Sequence, residues 1–158
     1  MENKKITIPD GWQEAMLGDV CDVLSKKEGV LKTEYKDFGL YAIYDQGQSY
    51  ISGYVDDIKY IYDDFPLVLF GDHSCIVKYI NNRYAVGNDG MKLLKSKENI
   101  DPLFFYYLIL SQEIVQTGYN RHFKYLKEKS FLLPKNKKEQ QKIVSILMKV
   151  DEEIEKLE

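Results

Sequence analysis

Apolar residues in the last part of the chain recur at alternating spacings of four and three positions. The residues in this pattern are Ile143, Leu147, Val150, Ile154 and Leu157. Such a repeat is typical of a helix whose apolar seam pairs with another helix. Asn136 offers an N-cap, with Glu139 three residues later, so the pattern predicts a helix over residues 136–157. The alternative is an amphipathic helix that folds back on its own core.

Short apolar or alternating segments in the first hundred residues have the length and composition of strands. The predicted strands are residues 40–44, 58–62, 67–70, 75–80, 84–86 and 91–94. The run at 67–70 (LVLF) is continuously apolar and is closed by Gly71. Asn81 and Asn82 predict a hairpin turn between the segments on either side of them.

A second helix is predicted to begin at Pro102, because Asp101 provides an N-cap and proline suits the first helical position. Its apolar residues continue to Val115, and we expect it to end near Gly118. Together these elements predict an α+β fold. A mainly antiparallel β domain, residues 1–133, precedes a long C-terminal coiled-coil helix in region 134–158.

The composition is that of an ordinary globular protein, with 158 residues of which 44% are apolar and 30% charged. No apolar run approaches the roughly 18 residues of a membrane span. Residues 1–12 (MENKKITIPDGW) lack the apolar core of a secretion signal, so we expect a cytoplasmic protein with no membrane contact.

The net charge of −3 conceals an uneven distribution along the chain. Residues 1–75 carry 7 basic and 14 acidic residues, a net charge of −7. Residues 76–142 carry 13 basic and 6 acidic residues, a net charge of +7, and residues 143–158 carry a net −3. One part of the molecule could therefore face phosphates while another does not. The alternative is that these are solvated surface charges.

The sequence offers no convincing catalytic set or metal site. The cysteines and histidines are isolated: Cys21, Cys75, His73 and His122. Residues 71–74 (GDHS) hold a carboxylate, an imidazole and a hydroxyl, but neighbours in a tight loop seldom converge as a triad. The acid pairs at 56–57 and 63–64 are interpreted as charges on strand edges. We expect no cofactor.

A binding signature occupies residues 119–125 (YNRHFKY), where cations and an amide alternate with aromatic rings. This mixture suits phosphates and bases. Residues 45–50 and 87–90 add loops that bear amide side chains. The alternative is that Phe123 and Tyr125 belong to the core, that the basic residues are solvated and that the loops are ordinary turns.

Five stretches carry a resemblance to a known family. They are residues 9–12 (PDGW), 17–20 (LGDV), 67–72 (LVLFGD), 133–143 (LPKNKKEQQKI) and 150–154 (VDEEI). Residues 133–143 look like the LPPLxEQxxI junction of type I restriction-modification specificity subunits, and residues 150–154 are similar to the stretch that follows it there. The chain resembles half of such a subunit, with one target recognition domain and one conserved helical region. Lys135 replaces the second proline of the junction, and family members usually carry two of each region.

The resemblance implies a non-catalytic DNA-recognition subunit. Two copies would form a homodimer by pairing their terminal helices antiparallel through the five seam residues named above. They would then read a bipartite double-stranded target whose halves are inverted copies. A separate modification (methyltransferase) subunit would methylate adenine, and a restriction subunit is a further candidate partner.

Within that interpretation, two groups of residues are candidates for DNA contacts. The candidates for the phosphate backbone are Lys124, Lys127, Lys135, Lys137 and Lys138. The candidates for base edges are Gln46, Gln48, Asn88, Asn120, Arg121 and His122.

Two other functions stay open at this point. The chain could be a truncated half-subunit that acts as a decoy by occupying the modification subunit, which its acidic N-terminal half would suit. It could also be a small metal-dependent nuclease, with metal ligands drawn from Asp56, Asp57, Asp63 and Asp64.

Overall fold

The computed structural model describes residues 7–158, so residues 1–6 of the predicted 1–133 domain lie outside the described part. The strands are β1 (Trp12–Ala15), β2 (Cys21–Val23), β3 (Tyr41–Tyr44), β4 (Gly53–Val55), β5 (Leu67–Gly71), β6 (Val77–Ile80), β7 (Tyr84–Val86), β8 (Met91–Ser96) and β9 (Phe131–Pro134). The helices are α1 (Leu17–Val20), α2 (Pro102–Leu110), α3 (Phe123–Glu128) and α4 (Lys137–Glu155). The prediction of an α+β fold with mainly antiparallel sheets and a long C-terminal helix is confirmed.

Three sheets make up the β domain. Strands β2, β8, β5 and β6 form a four-stranded antiparallel sheet, in that order. In the second sheet, β3 lies between β4 and β7 and runs antiparallel to β4 but parallel to β7. The third sheet is a two-stranded ladder in which β1 pairs antiparallel with β9, so the start of the domain is tied to the segment that precedes α4.

The apolar run of β5 is explained by burial of both its faces. Val68 and Phe70 belong to a hydrophobic cluster that also contains Phe105 of α2. Leu67 and Leu69 belong to a second cluster, on the other side of the sheet, with residues of β3 and β7. The central sheet therefore lies between α2 and the second sheet.

Helix α2 begins as predicted but ends earlier. The Asp101 carboxylate caps it by accepting a hydrogen bond from the Phe104 amide at 3.0 Å. The helix ends at Leu110, not near Gly118, because the side chains of Ser111 and Gln112 both donate to the Leu108 carbonyl at 2.8 Å. These bonds satisfy a terminal carbonyl and stop the helix.

Helix α4 closely matches the prediction of residues 136–157. Asn136 is its N-cap and accepts a hydrogen bond from the Lys138 amide at 2.8 Å. The first half of α4 packs on α2, with Gln140 and Val144 buried, whereas residues 148–158 are all exposed. No helix of residues 7–158 is long and apolar enough to cross a membrane.

Two local predictions were wrong. Residues 58–62 do not form a strand: Ile58–Tyr60 form a 3₁₀ turn, capped by the Asp57 carboxylate, which accepts from the Lys59 amide at 3.0 Å. The turn at residues 81–82 does not make a hairpin, because β6 and β7 lie in different sheets. The turn signal was local, whereas the partner of β7 is set by packing of the two sheets.

Candidate nucleic-acid interface

The loops that follow β3 and β7 of one sheet and β5 of another meet at one end of the β domain. Strands β3 and β7 are parallel neighbours, so residues 45–52 and 87–90, which follow them, begin at the same end of the sheet. Gly71, at the end of β5, lies opposite Met91, at the start of β8, which brings residues 71–75 to the same place. A fourth segment, residues 116–122, joins them through the contacts described next. We call these four segments the loop cluster.

Asp72 is the anchor of the loop cluster, and its side chain is buried. Its carboxylate accepts a hydrogen bond from the Phe123 amide at 2.9 Å, and its carbonyl accepts one from the His122 amide at 2.7 Å. Its own amide donates to the Gly90 carbonyl at 3.2 Å. One buried residue therefore holds three of the four segments together.

The segment 45–52 is shaped by a second buried carboxylate, that of Asp45. It accepts hydrogen bonds from the Ser52 hydroxyl at 2.5 Å, the Gly47 amide at 2.8 Å and the Tyr35 hydroxyl at 3.0 Å. Burial alone would raise the pKa of Asp45, but these three hydrogen bonds and the nearby Lys78 ammonium outweigh it and lower the pKa. The loop is held by an ionised carboxylate.

His122 does not face solvent, which corrects its assignment to base edges. The side chain is buried, with 0% of the residue exposed. Its Nε2 accepts a hydrogen bond from the Thr117 amide at 3.0 Å, and its Nδ1 lies 3.0 Å from the Asp72 carbonyl. Both ring nitrogens are used inside the protein, so His122 supports the segment that carries Asn120 and Arg121.

Four of the other predicted base contacts lie in the loop cluster with exposed residues: Gln48, Asn88, Asn120 and Arg121. Gln46 is also there but is half-buried, and its amide oxygen accepts from the His73 and Ser74 amides at 3.0 and 3.3 Å. The Asn120 side-chain amide donates to the Thr117 carbonyl. The structure therefore brings all five together, although Gln46 and Asn120 already use part of their polar groups.

Three lysines lie beside the loop cluster, and two of them lie against the Phe123 ring. The ammonium groups of Lys92 and Lys127 lie 5.4 and 5.6 Å from its centroid. Lys26 donates to the Asp89 carbonyl at 3.2 Å, and desolvation together with the nearby Lys92 charge lowers its pKa. Within residues 7–158, none of these three lysines forms a salt bridge. Lys26 and Lys92 were missed by the sequence analysis because nothing local marks two distant residues as neighbours.

The five lysines predicted to contact the phosphate backbone of DNA lie in two separate places. Lys124 and Lys127 lie on α3, next to the loop cluster, and both are exposed. Lys135, Lys137 and Lys138 lie elsewhere. The Lys137 ammonium donates at 3.0 Å to the carbonyl of Glu98, which follows β8 at the end of the sheet opposite to Gly71. The structure does not bring these three lysines to the loop cluster.

The five predicted seam residues of α4 also fall into two groups, one in contact with the protein core and one exposed. Ile143 packs against the core, and Leu147 is half-buried. Val150, Ile154 and Leu157 are exposed. They are joined by Ile146, at 63% exposure, which was not among the five predicted seam residues. The exposed apolar stripe of α4 is therefore Ile146, Val150, Ile154 and Leu157.

Of the four carboxylates considered for metal binding, three are paired with cations, and the fourth, Asp57, caps the 3₁₀ turn through the Lys59 amide. Salt bridges join Asp56 to Lys36 at 2.9 Å, Asp63 to Arg83 at 2.5 Å and Asp64 to Lys95 at 2.9 Å. The part of the chain that the structure describes holds no group of three or more metal-binding side chains.

Comparison with known proteins gives a consistent result. The family model described as type I restriction modification DNA specificity domain matches residues 9–158. The fold is similar to the S subunit of a type I restriction-modification system from M. genitalium, with a TM-score of 0.70 and 23% identity over 99% of this chain. It is similar to the HsdS subunit from Thermoanaerobacter tengcongensis, with a TM-score of 0.63 and 18% identity over 99% of this chain.

A structure reported for complex assembly and conformational transition of the type I R-M system is also similar, with a TM-score of 0.71 and 19% identity over 98% of this chain. The chain spans 41–42% of the length of these three structures. None of the curated proteins compared with the chain matches its sequence.

Proposed function

Because the chain belongs to the type I restriction-modification DNA specificity family, we propose that it is the DNA-reading, non-catalytic part of a restriction-modification complex. The loop cluster is the observation that carries this proposal. Four segments bring amide and guanidinium groups to one end of the β domain, beside lysines that form no salt bridge within residues 7–158. Such groups suit base edges, and such lysines suit phosphates.

In this proposal the loop cluster enters a groove of double-stranded DNA. Gln48, Asn88 and Arg121 have exposed side chains and face the bases, while Lys124 and Lys127 hold the backbone beside them. The lysines at 135, 137 and 138 would touch phosphates only where the duplex runs along the opposite end of the domain.

Pairing of two copies would use the exposed stripe of α4. Four apolar side chains on one face of a helix favour a second helix with the same stripe, and a two-fold pair is the simplest arrangement. An antiparallel pair would place one β domain at each end. Residues 1–133 would then be the target recognition domain and residues 134–158 the helical spacer.

The partners follow from the family. A modification subunit would bring the methyl donor and transfer the methyl group to adenine, and a restriction subunit would join the same complex. This chain would contribute the choice of site, so two identical copies would read a target with two inverted halves separated by a fixed gap.

Single-molecule sequencing of DNA from cells that express this chain with its modification subunit tests the proposal. The expected result is a modified-adenine motif in two inverted halves. An asymmetric motif would show pairing with a different half and refute the homodimer. If the complex assembles and no motif appears, the chain does not direct methylation, and the decoy alternative replaces the proposal.

A further inference from the structure

His73 occupies the centre of the loop cluster, and its backbone is held from two sides. Its amide donates to the side-chain oxygen of Gln46 at 3.0 Å. Its carbonyl accepts from the side-chain amide of Gln116 at 3.1 Å. The residue is thus fixed by the segment after β3 and by the segment before α3, although its own side chain is only half-buried.

The imidazole ring is fixed as well. It stacks on the Tyr119 ring with centroids 4.4 Å apart and planes within 4° of parallel, and Tyr119 is 88% exposed. The Nδ1 atom lies 3.1 Å from the Asn120 carbonyl. A polar ring held by stacking and by a hydrogen bond has lost its rotational freedom before any ligand arrives, which reduces the entropic cost of binding.

The bond to Asn120 determines what the other ring nitrogen can do. A carbonyl oxygen can only accept a hydrogen bond, so Nδ1 must carry the proton. In the neutral ring Nε2 is then a hydrogen-bond acceptor. Within residues 7–158 Nε2 has no partner. The Nε2 edge of the ring lies next to Gly90, where a Cβ would come within 3.1 Å of Nε2, so a glycine at this position adds no side chain that would crowd that edge.

Three other polar side chains of the loop cluster form hydrogen bonds within the protein. The Gln46 oxygen binds two backbone amides, the Asn120 side chain binds Thr117, and His122 is buried with both nitrogens engaged. These residues position the loop cluster. His73 is the group that they position, and in the described part of the chain its Nε2 has no hydrogen-bond partner.

We propose that His73 is a specificity-determining residue whose Nε2 accepts a hydrogen bond from an exocyclic amine of one base in the target. In the major groove that amine is adenine N6 or cytosine N4, and in the minor groove it is guanine N2. This inference rests on the proposed function, since it names a contact made by the DNA-reading site. It selects a residue that the sequence pattern did not mark for binding.

The test measures dissociation constants of the complex of this chain with its modification subunit on duplexes that carry the mapped motif. Each base with an exocyclic amine is replaced in turn by an analogue that lacks only the amine: purine for adenine, pyrimidin-2-one for cytosine and hypoxanthine for guanine. For wild type we expect about a five- to tenfold loss of affinity at the position read by His73, the value of one hydrogen bond. The analogue that gives this loss identifies the base and the groove.

The key variant is His73→Asn, because the asparagine amide can replace Nδ1 as donor to the Asn120 carbonyl while Nε2 is lost. We expect it to bind the unmodified target about as weakly as wild type binds the analogue. It should show no further loss with that analogue, yet respond normally to analogues at other positions. His73→Gln, with an amide near the place of Nε2, should recover part of the response.

Equal responses of wild type and His73→Asn to every analogue would overturn the inference and leave the proposed function intact. If His73→Asn does not fold, Gly90→Ala is measured in its place. Its methyl group would crowd Nε2 and should abolish the loss of affinity caused by the analogue at the position read by His73. An unchanged response in Gly90→Ala would then refute the inference. A wild-type complex that yields no motif refutes the proposed function and this inference with it.

Discussion

Gln140 joins three elements at the start of α4, and its removal should be costly. The residue has 0% exposure. Its side-chain oxygen accepts from the Asp101 amide at 2.8 Å, and its side-chain nitrogen donates to the carbonyls of Pro134 at 3.0 Å and Asn99 at 3.4 Å. These contacts tie α4 to the N-cap of α2 and to the end of β9. Gln140→Met keeps the approximate volume but removes all three bonds.

The expected cost follows from the groups that lose their partners. The Asp101 amide and the Pro134 carbonyl would both lose a short hydrogen bond, and the longer contact to Asn99 contributes less. A buried group without a partner costs about 1 to 3 kcal/mol. Because the Asp101 amide is only partly buried, we expect Gln140→Met to lower the free energy of unfolding by about 2 to 4 kcal/mol.

Urea unfolding followed by tryptophan fluorescence and far-ultraviolet circular dichroism measures this change. Trp12 is the single tryptophan, and it lies opposite Pro134 in the ladder of β1 and β9, so its emission reports the region that Gln140 joins. Lys142→Met, on the exposed face of the same helix, is the matched control and should lie within about 0.5 kcal/mol of wild type. All variants are compared at one protein concentration, because dimerisation would add to stability. A cost of Gln140→Met no larger than that of the control would refute the reasoning.

Three further perturbations test other parts of the molecule. Lys92→Gln and Lys127→Gln should each reduce the slope of log affinity against log salt concentration by about 0.9 if the lysine contacts one phosphate, as measured by titration of duplex DNA; an unchanged slope excludes that contact. Asp45 has a lowered pKa in the folded state, so its contribution to stability should be present above the unfolded pKa of about 3.9 and be lost as pH falls through the folded value; Asp45→Asn should remove that part of the acid dependence of urea unfolding. Ile154→Asp should shift any dimer toward monomer in sedimentation, whereas Glu152→Gln on the same helix should not.

The elements that sequence analysis found correctly are those whose signals are local. Two of these signals are N-caps, Asp101 before α2 and Asn136 before α4. Each accepts a hydrogen bond from an amide within three residues. The run of β5 was recognised because a strand buried on both faces must be apolar throughout. Residues 58–62 were misassigned because their alternation of apolar residues concealed the cap at Asp57, whose carboxylate accepts from the amide two residues on.

The candidate site was predicted in outline only. The sequence indicated the loops at 45–50, 87–90 and 119–125, because glycine, amides and interleaved cations mark turns and polar surfaces. It could not show that Asp72 binds Phe123 across 51 residues. Without that contact, His122 looked no different from its exposed neighbours, and His73 had no reason to be chosen. Contacts between residues distant in sequence decide which polar side chains form hydrogen bonds within the protein and which stay available for a ligand.

The division of the α4 seam shows how one repeat can serve two contacts. Spacings of four and three keep apolar residues on one side of a helix, but the side that meets α2 and the side that meets solvent differ by only part of a turn. Ile143 and Val144 are used by the core, so the repeat beyond them continues on a neighbouring face that begins at Ile146. The same helix that is fixed to the β domain through Gln140 therefore carries its exposed stripe at a fixed angle to that domain. If two copies pair through this stripe as proposed, the angle between their loop clusters would be set at the junction around Gln140, and Gln140→Met would then alter that angle as well as stability.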